Sequence, residues 1–108
     1  MKMHITQKNE VEREVTTLLS ELLQINTTNP PGNETIAAKY LAEQLYKEGF
    51  NCELVESAPN RGSIITRLKG TGEKPRLLLL SHLDVVAANP SEWQVDPFSG
   101  TVKDGFVG

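Results

Sequence analysis

Four consecutive leucines, Leu77, Leu78, Leu79 and Leu80, run directly into Ser81-His82-Leu83-Asp84-Val85-Val86. This run constrains the fold more than any other stretch of the chain. A strand with one wet face alternates apolar and polar side chains, so an unbroken apolar run predicts a strand covered on both faces. Residues 76–81 are therefore expected to form an inner parallel strand. The expected fold class is α/β, a layered sheet with helices on both faces.

The remaining chain supplies elements for such a fold, and its periodicity changes once, near Gly49. Before that point Val11, Val15, Leu18, Leu22 and Ile25 recur at helical spacing, with Leu19 and Leu23 widening the stripe. They predict a helix over residues 10–25, started by an Asn9–Glu12 capping box. The loop Asn26-Thr27-Thr28-Asn29-Pro30-Pro31-Gly32-Asn33 must interrupt it, because two prolines remove backbone donors and Asn29 is restricted by the proline that follows. Ala37, Leu41 and Leu45 predict a second helix over residues 34–48, closed by Gly49 as a left-handed cap. Beyond it, residues 52–56 and 63–69 read as strands separated by Pro59-Asn60-Arg61-Gly62.

Composition narrows the functional classes. Eleven Lys+Arg against fourteen Asp+Glu give a net charge of -3, which disfavours a binder of nucleic acid or of an anionic membrane surface. The single cysteine, Cys52, excludes an internal disulfide and reads as a small strand residue. It suits a reducing, cytoplasmic location. No apolar run reaches the roughly 20 residues that span a bilayer, and the polar start lacks a secretory signal.

The chemistry concentrates where the leucine run ends, since ligand sites in open α/β sheets form at the carboxyl ends of central strands. A histidine bound to a metal through one nitrogen needs an acceptor on the other. Asp84, two residues from His82, lies on the same side of an extended segment and can supply it. On its own, His-x-Asp is a short motif that equally describes a buried histidine tied to a neighbouring aspartate. Other residues have plainer readings. His4 belongs to a solvated leader, Asp96 and Asp104 are turn residues, Trp93 is a packing anchor, and Ser81 lacks the strained turn of a serine nucleophile.

The order of these segments is more specific than any one of them. The Leu-rich first helix, Thr28-Asn29-Pro30-Pro31-Gly32-Asn33-Glu34, the strand ending in His82-Leu83-Asp84-Val85-Val86, the stretch from Trp93 to Gly100 and the hairpin at Asp104-Gly105 follow one another along nearly the whole chain. In this it resembles the co-catalytic zinc peptidase and deacylase family that includes aminoacylase, acetylornithine deacetylase, succinyl-diaminopimelate desuccinylase and the glutamate carboxypeptidases. The resemblance implies a zinc-exopeptidase-like catalytic domain, of which residues 1–108 are the N-terminal portion. His82 matches the first zinc ligand. Asp84 matches the carboxylate that orients it, the one residue of the catalytic machinery besides the ligand.

By the same resemblance the bridging aspartate, the glutamate general base, the other ligands and a dimerisation domain lie downstream. The implied parent enzyme uses two zinc ions, with cobalt or manganese as alternatives, to hydrolyse the amide bond of an N-acyl amino acid or small peptide, and is a homodimer. The 108 residues alone are expected to be inactive. A non-catalytic α/β binding module is the competing reading from composition, and a self-contained metallohydrolase is disfavoured because no second histidine stands near His82.

Overall fold

The computed structural model describes residues 5–108, with side chains described from Asn9 onward, so that His4 lies outside the described residues. Two helices, α1 (Ile5–Leu23) and α2 (Glu34–Lys47), precede four strands, β1 (Cys52–Glu56), β2 (Gly62–Thr66), β3 (Val102–Lys103) and β4 (Phe106–Val107). The strands pair antiparallel as β1–β2 and β3–β4. The α/β composition is thus present, carried by two small sheets. The chain divides into two compact units, one made of α1 with Ala88–Gly108 and one spanning Thr27–Ala87.

In the first unit α1 begins before the expected capping box, and Asn9 and Glu12 lie inside it. The segment Ile5-Thr6-Gln7-Lys8 contains no glycine or proline that would stop a helix from extending upstream. The helix ends at Leu23, where Gln24 N–H and Ile25 N–H donate to the carbonyls of Glu21 and Leu22 and tighten the last turn. The apolar stripe is only partly covered: Val11 and Val15 are more than half exposed, while Leu18 and Leu22 are half-buried. Ser20 Oγ donates to the carbonyl of Gly100 at 2.6 Å and holds residues near the small β3–β4 hairpin against the helix. Asp104 and Gly105 both take positive φ, 53° and 81°, and make the two-residue turn of that hairpin. Asp96 accepts from Phe98 N–H at 2.8 Å, as a turn aspartate does. Trp93 is about half exposed at 49% and does not bury itself as an anchor.

The second unit is organised around the start of α2. Gly49, at φ 87°, closes the helix with two bonds, from its own N–H to the carbonyl of Tyr46 and from Phe50 N–H to the carbonyl of Leu45. That pair is the Schellman arrangement expected for a left-handed glycine after a helix. At the other end Asn33 is left-handed and makes no side-chain cap. Instead Thr35 N–H donates to the carbonyl of Asn60 in the β1–β2 turn. Glu34, Thr35, Ala37 and Ala38 are buried here, together with Gly32 and Gly62. Thr35 Oγ1 donates to Glu56 Oε2 at 2.9 Å, which ties the helix to the hairpin. Cys52 opens β1, a half-buried free thiol, in keeping with a strand residue.

The leucine run departs from expectation. Residues 76–81 belong to no strand, and Leu77, Leu78, Leu79 and Leu80 are 80–88% exposed. An inner strand needs a hydrogen-bonded neighbour on each side, and among the described residues β1 and β2 pair only with one another. The expected inner strand is therefore corrected to an unpaired, solvent-facing segment, and the described residues do not form a sheet with helices on both faces.

Close packing at the start of α2 leads to a specific expectation. A Cβ on Gly62 would stand 2.5 Å from Thr35 Oγ1 and 3.1 Å from Thr35 Cα, a backbone atom that cannot swing aside. Gly62→Ala should therefore destabilise the chain by about 1–3 kcal/mol, the usual cost of overpacking. A urea-unfolding midpoint equal to that of the wild type would contradict this packing.

Candidate functional site

The segment that follows the leucines is held by the double-proline loop, and the hold is built from backbone groups first. Val85 N–H donates to the carbonyl of Thr27 at 3.2 Å, and Asn29 N–H donates to the carbonyl of Val85 at 2.8 Å. These bonds form an isolated parallel bridge between Thr28 and Val85. Thr27, which is buried, adds a bond from Oγ1 to the carbonyl of Leu83 at 2.7 Å. Asn29 Nδ2 donates to Asp84 Oδ2 at 2.9 Å. Two short stretches far apart in sequence are thereby fixed side by side.

On this frame His82 turns Nδ1 toward Asp84, 3.0 Å from Oδ1 and 2.9 Å from the backbone carbonyl oxygen of the same residue. Carbonyl and carboxylate oxygens only accept, so Nδ1 carries a proton, and in the neutral ring this places the lone pair on Nε2. The imidazole side chain is 84% exposed and that of Asp84 33%. The Asn29 amide holds the Asp84 carboxyl below its ordinary carboxylate value; His82 adds to the effect, and partial burial opposes it.

The loop itself is clamped by a charged pair. Arg61 Nε donates to both oxygens of Glu34, at 3.0 and 2.7 Å. The guanidinium holds Glu34 below the usual carboxylate range, and Glu34 in turn raises Arg61. Gly32, at φ 110°, lies against this pair; a Cβ there would stand 2.6 Å from Arg61 Nε and 2.7 Å from Glu34 Oε2. Only glycine accepts both that backbone conformation and that approach.

The sequence-derived pair, His82 and Asp84, is brought together as expected. Sequence reasoning missed Asn29, Glu34 and Arg61 as supports. Asn29 reads locally as a residue restricted by its proline, and nothing in the local pattern connects it to a carboxylate 55 residues away. As a test of metal fit, a neutral imidazole with Nδ1 held by a carboxylate suits zinc through Nε2. Among the described residues no group of three or more His, Cys, Asp and Glu side chains is placed to hold a metal ion. The segment thus offers one donor, where a closed site draws on about four.

With this geometry in view, the relatives of the chain are informative. Aminoacylase-1 of Sus scrofa is 35% identical over 102 residues, covering 91% of this chain and 25% of the relative. Aminoacylase-1A of Rattus norvegicus is 36% identical over 106 residues, covering 94% and 26%. Succinyl-diaminopimelate desuccinylase of Ehrlichia ruminantium (strain Gardel) is 31% identical over 94 residues, covering 84% and 24%. No family model matches the chain, and no solved structure matches it. The chain belongs to the family of aminoacylases and succinyl-diaminopimelate desuccinylases. It spans about a quarter of the length of the relatives it matches.

The Glu34–Arg61 clamp predicts a pH response. Glu34 has a depressed folded-state pKa, so its contribution to stability is full above the ordinary glutamate value of about 4.3 and is lost as pH falls through the lower folded value. Arg61→Gln should lower the urea midpoint at pH 7 and reduce the further drop between pH 5 and pH 3. A drop in the variant as large as in the wild type would show that the pair does not set the response.

Proposed function

We propose that this chain is the N-terminal part of the catalytic domain of a metal-dependent amidohydrolase acting on N-acyl amino acids or small peptides. The observation that carries the reading is its identity of 31–36% to aminoacylases and a desuccinylase over most of its own length. The geometry supports it: an imidazole whose Nδ1 is engaged by a carboxylate has its other nitrogen, Nε2, available to a metal, as a ligand would. His82 would hold one zinc ion, and Asp84 would keep the ring in the required tautomer and direction. The chemistry that bound zinc supplies is polarisation of the substrate carbonyl and acidification of water toward a pKa of about 7.

The same reading accounts for the leucine run. Four adjacent leucines at 80–88% exposure are a large apolar surface, and such surfaces call for a cover. In a protein of the relatives' length we infer that flanking strands pair with residues 76–81 and make them an inner strand of a layered sheet. The remaining ligands, the bridging carboxylate and the general base would come from the rest of that protein, which we take to be a cytoplasmic homodimer. No helix among the described residues is long and apolar enough to cross a membrane.

Replacement of His82 tests the assignment in a protein of the relatives' length that contains this chain. His82→Ala should remove about one equivalent of zinc and nearly all hydrolysis of an N-acetyl amino acid. Asp84→Asn should cost about 10- to 100-fold in metal affinity or activity, the usual effect of losing a ligand's carboxylate partner. Retained zinc with near-normal turnover in His82→Ala would overturn the reading.

A further inference from the structure

The tautomer of His82 depends on which way the Asp84 carboxylate faces, and that torsion is intrinsically soft, since a terminal sp³–sp² bond has broad, roughly two-fold preferences. Asp84 is one-third exposed, so water competes for both its oxygens. Something must fix the plane. Among the described residues the side-chain group that does so is the Asn29 amide, 2.9 Å from Oδ2, which leaves Oδ1 to face His82 Nδ1 at 3.0 Å. Because a carboxylate only accepts, the amide must present its nitrogen rather than its oxygen. Asn29 is itself immobilised by its backbone bond to Val85 and by the Thr28–Val85 bridge.

We propose that Asn29 is a positioning residue that sets the orientation of the Asp84 carboxylate and thereby selects the His82 tautomer with Nε2 unprotonated. The role it assigns to that tautomer rests on the reading of His82 as a metal ligand. Asn29 touches neither metal nor substrate in this account. Its effect passes through two hydrogen bonds, each of modest net strength. The Asp84 backbone carbonyl, 2.9 Å from Nδ1, remains as an acceptor when the carboxylate turns away, so removing Asn29 should change the tautomer ratio rather than abolish one form.

The test is the ¹⁵N chemical shifts of the His82 ring in the 108-residue chain, which has two histidines. His4→Gln in every sample leaves one ring to observe, at a pH where the imidazole is neutral. The parent should show the Nδ1–H form dominant. Asn29→Ala and the nearly isosteric Asn29→Asp should both raise the Nε2–H form, by about two- to tenfold in ratio, the range expected for loss of one net hydrogen bond. Thr27→Val deletes the bond to Leu83 but leaves the Asn29 amide in place, and should leave the ratio unchanged. Dominant Nδ1–H in the parent with no change in either Asn29 variant would overturn this proposal while leaving the His82 reading standing. An equal change in Thr27→Val would also overturn it, assigning the effect to loop docking. A parent dominated by Nε2–H would remove the ring orientation on which the His82 reading relies.

Discussion

Everything distinctive about the site rests on the backbone pairing of residues 27–29 with residues 83–85. Thr27 and Asn29 offer one acceptor and one donor to Val85, and the side chains of Thr27 and Asn29 add bonds to Leu83 and Asp84. Each bond is worth only about 0.5–1.5 kcal/mol net. Together they must offset the closure of a loop of more than fifty residues, a cost that grows slowly with length. Were the pairing lost, His82 and Asp84 would remain neighbours in sequence, but nothing would fix the carboxylate relative to the ring.

The loop that provides this pairing is stiffened from several directions. Glu34, at the start of α2, is engaged by Arg61 through both carboxylate oxygens, and Gly32 leaves room for that pair. Thr35 connects the same helix start to Glu56 and Asn60. The buried heart of this unit is therefore largely polar, with Ala37 and Ala38 the buried apolar residues among those described. A polar centre of this kind specifies geometry more than it supplies hydrophobic stability, because each buried group must be paired to be tolerated. The large apolar side chains are instead at the surface, concentrated at Leu77, Leu78, Leu79 and Leu80.

Local chemistry was the readable part of the sequence. Strand β1 falls on the residues expected, β2 begins one residue early and ends at Thr66, and α2 and its Gly49 cap follow from periodicity and the freedom of glycine. Asp104-Gly105 and Asp96 behave as turn chemistry requires. The His82–Asp84 pair was legible because residues two apart share a side in an extended segment. What escaped was non-local. Apolar continuity in the leucine run predicts an inner strand, but a strand also needs paired neighbours, and among the described residues 76–81 have none, so an exposed segment stands there. Asn29 escaped because its partner lies across a long stretch of chain, and α1 started early because no breaker precedes Asn9.

The pairing of residues 27–29 with 83–85 is tested most directly by amide hydrogen exchange in the intact chain. The N–H groups of Asn29 and Val85 are bonded at 2.8 and 3.2 Å and should exchange about as slowly as the paired amides of β1 and β2, and far more slowly than those of residues 77–80. Exchange of Asn29 and Val85 at the rate of the exposed leucines would show that the loop does not hold the His82 segment, and the account of the site built on it would fail.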